Sequence, residues 1–321
     1  MKIVVTGGAG FVGANLVRML RRTRPGWGVS VIDNLSTGSA ANLEDVDGVT
    51  LHVASILDDA ALDAVFARAD AVVHLAARSS LQRAVVDPIA CHDVNATGTL
   101  KVVDAVRRAD VGQLIVASSA EVYGEAGMLP KHEELPTIPV SAYGASKLAA
   151  ESYALSAGYR YGLPVLVFRL FNVFGPLQRA HREYGAAIPA FVMAASQRRP
   201  LPVFGDGRQT RDFTYVDDVC EVVIDALDRR VSSERPLNLG FGTRRTLFDV
   251  IDELSAVFDR QLLVTHAAAR VDEVRDMSAN PTRLRRLFPG IDPVAFSVGL
   301  RETTGWLLAD LDLSEPRLAL L

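Results

Sequence analysis

From the N-terminus to about residue 169, short β-branched runs alternate with longer stretches whose apolar residues recur every three to four positions. The short runs predict strands over 3–6, 29–32, 50–53, 71–75, 113–117 and 165–169; the longer ones predict helices over 12–22, 58–66, 89–108 and 143–161. Strictly alternating strands and helices imply a doubly wound parallel sheet, because parallel neighbours need long crossovers and the crossover helices cover both faces. Beyond Pro176 the regularity breaks into a Gly/Pro-punctuated stretch, Pro200-Leu-Pro-Val-Phe-Gly-Asp-Gly, followed by short helices expected near 216–227, 247–258 and 281–287. The expected class is therefore α/β, with a large sheet unit over 1–175 and a smaller C-terminal α/β lobe over 176–321, some segments of which return to the large unit. The sequence shows no internal repeat and no flexible linker, so the two parts are expected to pack together. After Trp306 the pattern predicts nothing.

Composition narrows the partners. Hydrophobic residues make up 49% of the 321, yet none of the apolar runs approaches the roughly eighteen residues that cross a bilayer, so no membrane role is expected. Met1 and Lys2 lead into a short apolar stretch with no signal-peptide pattern, and a cytoplasmic location is expected. Cys91 and Cys220 are far apart and lack metal-ligand spacing, which points to neither disulfide nor zinc, and no metal is expected. A net charge of −4 supplies no field for nucleic acid, although an anionic small molecule can still be held by local cations.

The first strand runs into Thr6-Gly-Gly-Ala-Gly-Phe-Val-Gly13, which opens the first helix. In that context Gly8 and Gly10 let backbone approach a pyrophosphate, Gly13 lets the helix pack on the strand, and the free N–H groups of the helix start attract anions. A plain strand-to-helix turn accounts for the glycines almost equally well. Asp33 shifts the balance: it follows the second strand about twenty residues on, where a carboxylate accepts from an adenosine ribose and repels a 2′-phosphate. NAD is the expected cofactor of a Rossmann-type sheet.

Tyr143-Gly-Ala-Ser-Lys147 places a phenol and an ammonium on one helix face. Lowering a tyrosine pKa from about 10 towards neutrality requires about 4 kcal/mol of anion stabilisation, which Lys147 and a bound nicotinamide could supply. Alone, this spacing describes many amphipathic helices; after a dinucleotide sheet it reads as a catalytic pair. The fifth strand ends in Ser118-Ser-Ala-Glu-Val-Tyr-Gly124 at the sheet edge where ligands bind, and Ser119 is the third catalytic candidate, with Ser118 as the structural one.

Taken together, TGGAGFVG, DNLSTG after Asp33, HLAA at 74–77, Asn95 with Gly98-Thr99, SSAEVYG, YGASK, RLFNVFGP, GDGRQTRDFTYVDD and NLGFGT resemble the extended short-chain dehydrogenases that act on nucleotide sugars, and within them the UDP-glucose 4-epimerase group. The resemblance spans nearly the whole chain. It implies that Tyr143 is the base, that Lys147 holds it and the nicotinamide ribose, and that Ser119 assists at the sugar 4-hydroxyl. It lines the cofactor with Gly7, Gly10, Phe11, Val12, Gly13, Asp33, Asn34, Ser36, Thr37, Gly38, Ser55, Ile56, Leu75, Ala76, Ala77, Asn95 and Ser118. Ser55 stands where many relatives carry an Asp that contacts adenine.

The resemblance also carries Asn172, Arg211 and Arg270 onto a UDP diphosphate, Ala187 with Pro202, Val203 and Phe204 onto the uracil and its ribose, and Glu273 onto the ribose. Guanidinium groups suit a dianionic pyrophosphate, while surface ion pairing is the bland account of the same arginines. Here Arg270-Val-Asp-Glu273 replaces the family's Arg-x-Gly-Asp. Met277 falls where the family limits room around the sugar. Arg179, with His181 and Arg182, is the candidate partner of a uronate carboxylate, since Arg179 matches an Arg of the UDP-glucuronate 4-epimerases.

The expected reaction is oxidation of the sugar at C4, turnover of the 4-keto intermediate and reduction from the other face. Glu121 keeps decarboxylation or 4,6-dehydration open, but Ala120 replaces the acid that dehydratases of the family carry. A non-catalytic NAD-binding scaffold is the reading from another class. The resemblance further implies a homodimer paired through the helices 89–108 and 143–161.

Overall fold

The computed structural model describes residues 1–179, 186–269 and 274–314. Its main sheet contains seven parallel strands, β1 Lys2–Thr6, β2 Gly28–Asp33, β3 Val49–Val53, β4 Ala71–His74, β5 Leu114–Ser119, β6 Val165–Leu170 and β7 Leu237–Leu239. Their spatial order is β7-β6-β5-β4-β1-β2-β3, so the winding reverses between β1 and β4. At such a reversal the crossover connections leave in opposite directions and a crevice opens beyond the strand ends, here beyond Thr6 and His74.

The sequence specifies this sheet through alternation hidden inside continuous apolar runs. Ile3, Val5, Ala71, Val73, Ile115, Leu166 and Phe168 enter one core with the helix Phe11–Thr23. Their neighbours Val4, Val72, Leu114, Val116, Val165 and Val167 enter the other, beneath Asp59–Phe66, Gly98–Arg108 and Ala142–Tyr161. Both faces are covered, which is why the central strands read as uninterrupted hydrophobic segments.

After Pro176 the chain contributes to the main sheet and to one of its cores. Strand β7 extends that sheet beside β6, and the helix Val216–Asp228 packs its Val219, Val222 and Val223 into the same core as Leu16, Val17 and Leu20 of the first helix. The remaining segments form small pairs: Leu201–Phe204 with Val264–Ala267, Thr210–Asp212 with Arg244–Thr246, and Val173–Phe174 with Thr214–Tyr215. Asp212, fully buried, ties them together by accepting from Gly242 N (2.9 Å), Thr243 Oγ1 (3.1 Å) and Ala279 N (3.0 Å). The C-terminal helix Phe296–Ser314 docks through Phe296 on Phe174, at 5.2 Å between ring centroids, and through Tyr215 Oη donating to Glu302 Oε2 at 2.5 Å.

One buried carboxylate is held against its preference. Asp218 accepts from Val294 N at 3.0 Å, yet burial, then the neighbouring Glu221, Asp217 and Asp292, push its carboxyl up to about 7. A raised acid contributes its full stability below the unfolded pKa near 4 and loses it as pH climbs through 7. Asp218→Asn, which keeps the acceptor oxygen, is therefore expected to stabilise the protein by about 2 kcal/mol at pH 8 and to be neutral near pH 4, read from urea midpoints at the two pH values.

Candidate active site

The phosphate-type loop is built by what its glycines lack. Gly7 adopts φ +70°, and a Cβ there would lie 2.6 Å from Ala76 N; one on Gly13 would lie 2.2 Å from Gly7 O, and one on Gly38 2.7 Å from Ala9 O. Loop, first helix and the turn after β2 thus meet backbone to backbone. The helix Phe11–Thr23 is capped by Gly10, which has no side chain to satisfy the first-turn N–H groups, and the resulting cradle fits a dinucleotide pyrophosphate. Asp33 accepts from Ala9 N and Leu35 N, both at 2.9 Å, so the residue expected at the ribose fixes the loop as a strand-end turn residue does. Asn34 likewise turns its own loop by accepting from Ser36 N at 3.1 Å, while Ser36 and Thr37 stay exposed. Ser55 accepts from Leu57 N at 3.1 Å beyond β3, and Ile56 packs against Gly98, whose Cβ would meet its side chain at 2.6 Å.

A buried chain of polar groups crosses the floor of the crevice. Ala76 N donates to Thr6 Oγ1 (3.3 Å), leaving the Thr6 hydroxyl to donate to His74 Nδ1 (2.7 Å). His74 Nε2–H then faces Thr99 Oγ1 (2.9 Å), whose own hydroxyl donates to Asn95 O (2.5 Å). Burial, and then the charge of Lys147, push the imidazole down to about 3, so His74 is neutral and the partner set fixes its tautomer. Thr6→Val keeps the shape but strands Ala76 N–H; the expected cost is about 1–3 kcal/mol by urea unfolding, with weaker NAD retention on gel filtration.

Asn95 lies on the π-helical turn Asp93–Thr97 that interrupts the expected helix over 89–108. The segment divides into Pro88–His92, this turn and Gly98–Arg108, and a separate short helix, Leu81–Val86, precedes it. The extra residue per turn turns Asn95 inward, where its Oδ1 accepts from Arg78 N (2.8 Å) and its Nδ2 donates to Ser146 Oγ (2.9 Å). Ser146 Oγ donates in turn to Tyr143 O at 2.8 Å, so Asn95 braces the first turn of the helix Ala142–Tyr161.

That first turn brings the expected trio together. Ser141 caps it by accepting from Gly144 N (3.0 Å), and Gly144 lies so close to Glu121 O that a Cβ would stand 2.7 Å away. Ser119, at the carboxyl end of β5, hydrogen-bonds the Tyr143 phenol. Burial pushes Tyr143 up to about 12, with the Ser119 hydrogen bond opposing and the Glu121 charge adding to the rise. Lys147, 4% exposed, is pushed down to about 8 by burial, with Cys91 and Glu151 opposing. Glu121 N donates to Ser119 Oγ at 3.2 Å in the short turn Ala120–Tyr123, so this carboxylate belongs to the same group. Ser118 points elsewhere, donating to Glu151 Oε2 at 3.0 Å, as a structural serine does.

The nucleotide-sugar candidates are dispersed. Asn172 is exposed just past β6, and its carbonyl accepts from Thr214 N at 3.2 Å. Ala187 opens the helix Ala187–Ser196. Of Pro202, Val203 and Phe204, Val203 is fully buried, and the Phe204 carbonyl accepts from Gln209 Nε2 at 2.8 Å. Arg211 donates to Thr210 O (3.0 Å) and Arg275 O (2.8 Å). Met277 is buried in one cluster with Ala120, Val122 and Tyr123 of the turn that follows Ser119. Arg179 is not brought to the trio: it pairs with Asp310 (3.1 Å), reaches Asn42 Oδ1 (3.4 Å) and stacks 5.8 Å over Trp306. His181, Arg182, Arg270 and Glu273 lie outside the described residues.

Sequence reasoning missed the roles of Thr6, Thr99, Ser146, Glu151 and Arg169. The usable signal was Glu151 at four residues from Lys147, hence on its face of the helix.

Comparison with known proteins identifies the family and agrees with the fold. A family model described as NAD dependent epimerase/dehydratase family matches residues 3–240. A UDP-N-acetyl-alpha-D-glucosaminuronate decarboxylase of Bacillus cytotoxicus is 30% identical over 322 residues, covering 95% of this chain and 97% of the relative. A dTDP-glucose 4,6-dehydratase of Streptomyces niveus is 32% identical over 318 residues, covering 95% and 92%. The solved UDP-glucose 4-epimerase of Thermus thermophilus, complexed with NAD, superposes with a TM-score of 0.87 at 32% identity, covering 96% of this chain and 99% of that one.

Proposed function

Because the chain belongs to the NAD-dependent epimerase/dehydratase family, we propose that it is a 4-epimerase of a UDP-hexose or UDP-hexuronate working through a transient 4-keto sugar. The observation that carries this reading is the Ser119–Tyr143–Lys147 group at the carboxyl edge of the sheet, beside a glycine loop shaped for a pyrophosphate. The residues that would hold NAD are the first-turn backbone of Phe11 and Val12, the Asp33 and Ile56 strand ends on the adenosine side, and Asn95, Tyr143 and Lys147 on the nicotinamide side. When bound, NAD supplies the hydride acceptor and a positive ring near the phenol.

The protein's own part is proton handling and grip. Burial holds Tyr143 near 12 even with Ser119 lowering it, so bringing the phenol to neutrality takes about 7 kcal/mol more, which requires the Lys147 ammonium and the cofactor's charge acting together. Tyr143 then accepts the proton of the sugar 4-hydroxyl while Ser119 holds that oxygen. Asn172, Arg211 and the Pro202–Phe204 strand hold the nucleotide, so the hexose alone turns before its other face is reduced.

Glu121 supports a second reading. Its carboxylate lies close enough to raise Tyr143, and a decarboxylase stands among the relatives. Product NMR after incubation with UDP-glucose and with UDP-glucuronate separates the two: inverted C4 stereochemistry supports epimerisation, whereas a UDP-pentose or a persistent 4-keto sugar assigns the alternative.

The enzyme is further read as a cytosolic homodimer. Both cysteines are buried free thiols, as suits a reducing compartment, and none of the described helices is long and apolar enough to cross a membrane. Ile89 (70% exposed), Leu100 and Tyr153 present apolar surface on the helices expected to pair, and Val86 (75%) adds to it from the short helix just before them. Ile89→Glu with Leu100→Glu is expected to convert a dimer of wild-type chain to monomer by multi-angle light scattering; a monomeric wild type overturns the dimer.

A further inference from the structure

Behind the trio lies a buried ion pair that the epimerase chemistry does not use. Glu151 follows Lys147 by one helical turn; it and Arg169 are each 4% exposed. Arg169 donates from Nε to Glu151 Oε2 at 3.0 Å and from Nη2 to Oε1 at 2.5 Å, and Ser118 donates to Oε2 at 3.0 Å. Ser118 and Arg169 are register partners on β5 and β6, so one carboxylate on the Lys147 helix grips both strands immediately below Ser119. The grip continues outward. The Arg169 guanidinium lies 4.6 Å over the Tyr123 ring, in the turn that follows Ser119, and Tyr123 Oη donates to Asn238 Oδ1 at 2.6 Å on β7, itself the register partner of Arg169.

A pair sunk this deeply is a poor source of stability, because desolvating two ions offsets most of their attraction and apolar replacements often do as well. Arg169 Nη1 is moreover buried without a hydrogen-bond partner among the described residues, which adds to the expense. What the arrangement does achieve is to place a negative charge one turn from a buried ammonium and to lock the strand end that presents Ser119 against the helix that presents Tyr143.

We propose that Glu151 and Arg169 form a positioning pair: Glu151 keeps Lys147 in its ammonium form and, through Ser118, holds Ser119 in register with Tyr143. This role rests on the catalytic reading of Tyr143 and Lys147. The titratable groups facing Lys147 are Tyr143 and Glu151 on its own helix, Cys91 on Pro88–His92 and His74 at the end of β4; Arg169 lies beyond Glu151, and Glu121 faces Tyr143. Burial holds Lys147 near 8, and Glu151 is a carboxylate that opposes that fall.

The chain contains only four lysines, Lys2, Lys101, Lys131 and Lys147, so NMR of protein labelled at lysine Cε can follow Lys147 directly, with Lys147→Met assigning its signal. The wild-type midpoint is expected near 8, falling by about one unit in Glu151→Gln and staying within a few tenths of wild type in Glu151→Asp. Glu151→Gln with Arg169→Gln strands no charge and, should the single variant not fold, reads a smaller fall in the same direction, because the repulsion of Arg169 is removed together with the attraction of Glu151. With substrate, the alkaline limb of kcat/KM is expected to move to lower pH by the same amount, since the ammonium is lost earlier. A Lys147 midpoint unchanged in a folded variant overturns the positioning role whatever the substrate. Absence of any product from wild type overturns the epimerase reading and leaves the titration to judge the pair.

Discussion

Tyr143→Phe is expected to lower turnover about 10³-fold or more while the purified protein still carries NAD. In the proposed mechanism the phenol oxygen accepts the sugar proton, and the neighbouring Ser119 has a hydroxyl with no comparable basicity to take over. Phenylalanine fills the same space on the first turn of Ala142–Tyr161, where the backbone is already held by the Ser141 cap and by Ser146 bonding the carbonyl of residue 143, so the fold has little reason to respond. Stopped-flow absorbance of reduced cofactor, together with product NMR, checks both halves. Retained turnover removes Tyr143 as the base; lost NAD shows that the phenol serves cofactor binding instead.

The second large effect belongs to Gly13→Ala. A Cβ at this position stands 2.2 Å from Gly7 O and 2.6 Å from Gly8 Cα, contacts with backbone that no rotamer relieves. The first helix must move away from the loop, at an expected loss of about 2–3 kcal/mol. Displacing the first-turn N–H groups also forfeits hydrogen bonds to a charged phosphate worth about 1.5–3 kcal/mol each, so NAD affinity falls by about 10²–10⁴-fold. Gly26→Ala is the control, because a Cβ there meets nothing within 4 Å. Calorimetric titration of cofactor-stripped protein reads the affinity, and equal binding by the two variants would remove the loop from the cofactor site.

Most of the sheet was legible because its strands are buried on both faces, and a run such as Leu114–Ser119 advertises that environment without help from its neighbours. Strand β7 was not legible: three residues, Leu-Asn-Leu, are too short to show a period, and Asn238 is satisfied there by distant partners, its N donating to Glu133 Oε1 (3.0 Å), its Nδ2 to Lys131 O (2.9 Å) and its Oδ1 accepting from Tyr123 Oη. The break at Asp93–Thr97 left no trace either, since a π turn keeps the apolar periodicity on both sides and shifts it by one residue. The helix Phe296–Ser314 escaped notice because its buried residues meet several neighbours and form no single stripe: Phe296 meets the aromatic cluster at Phe174, while Thr303 and Thr304 are buried as well. At the site, chemistry that depends on local spacing, Tyr143 with Lys147 and the glycine turn, could be read directly. The bond of Arg179 to Asp310 spans 131 positions and could not.

The late return of Leu237–Leu239 to the edge of the sheet makes the cofactor-binding half inseparable from the C-terminal half of the chain. A fragment cut at residue 175 would expose the hydrogen-bonding edge of β6 and uncover Phe168, and such bare edges recruit strands from other molecules. During synthesis the dinucleotide unit therefore stays unfinished until more than sixty further residues, about a fifth of the chain, have left the ribosome.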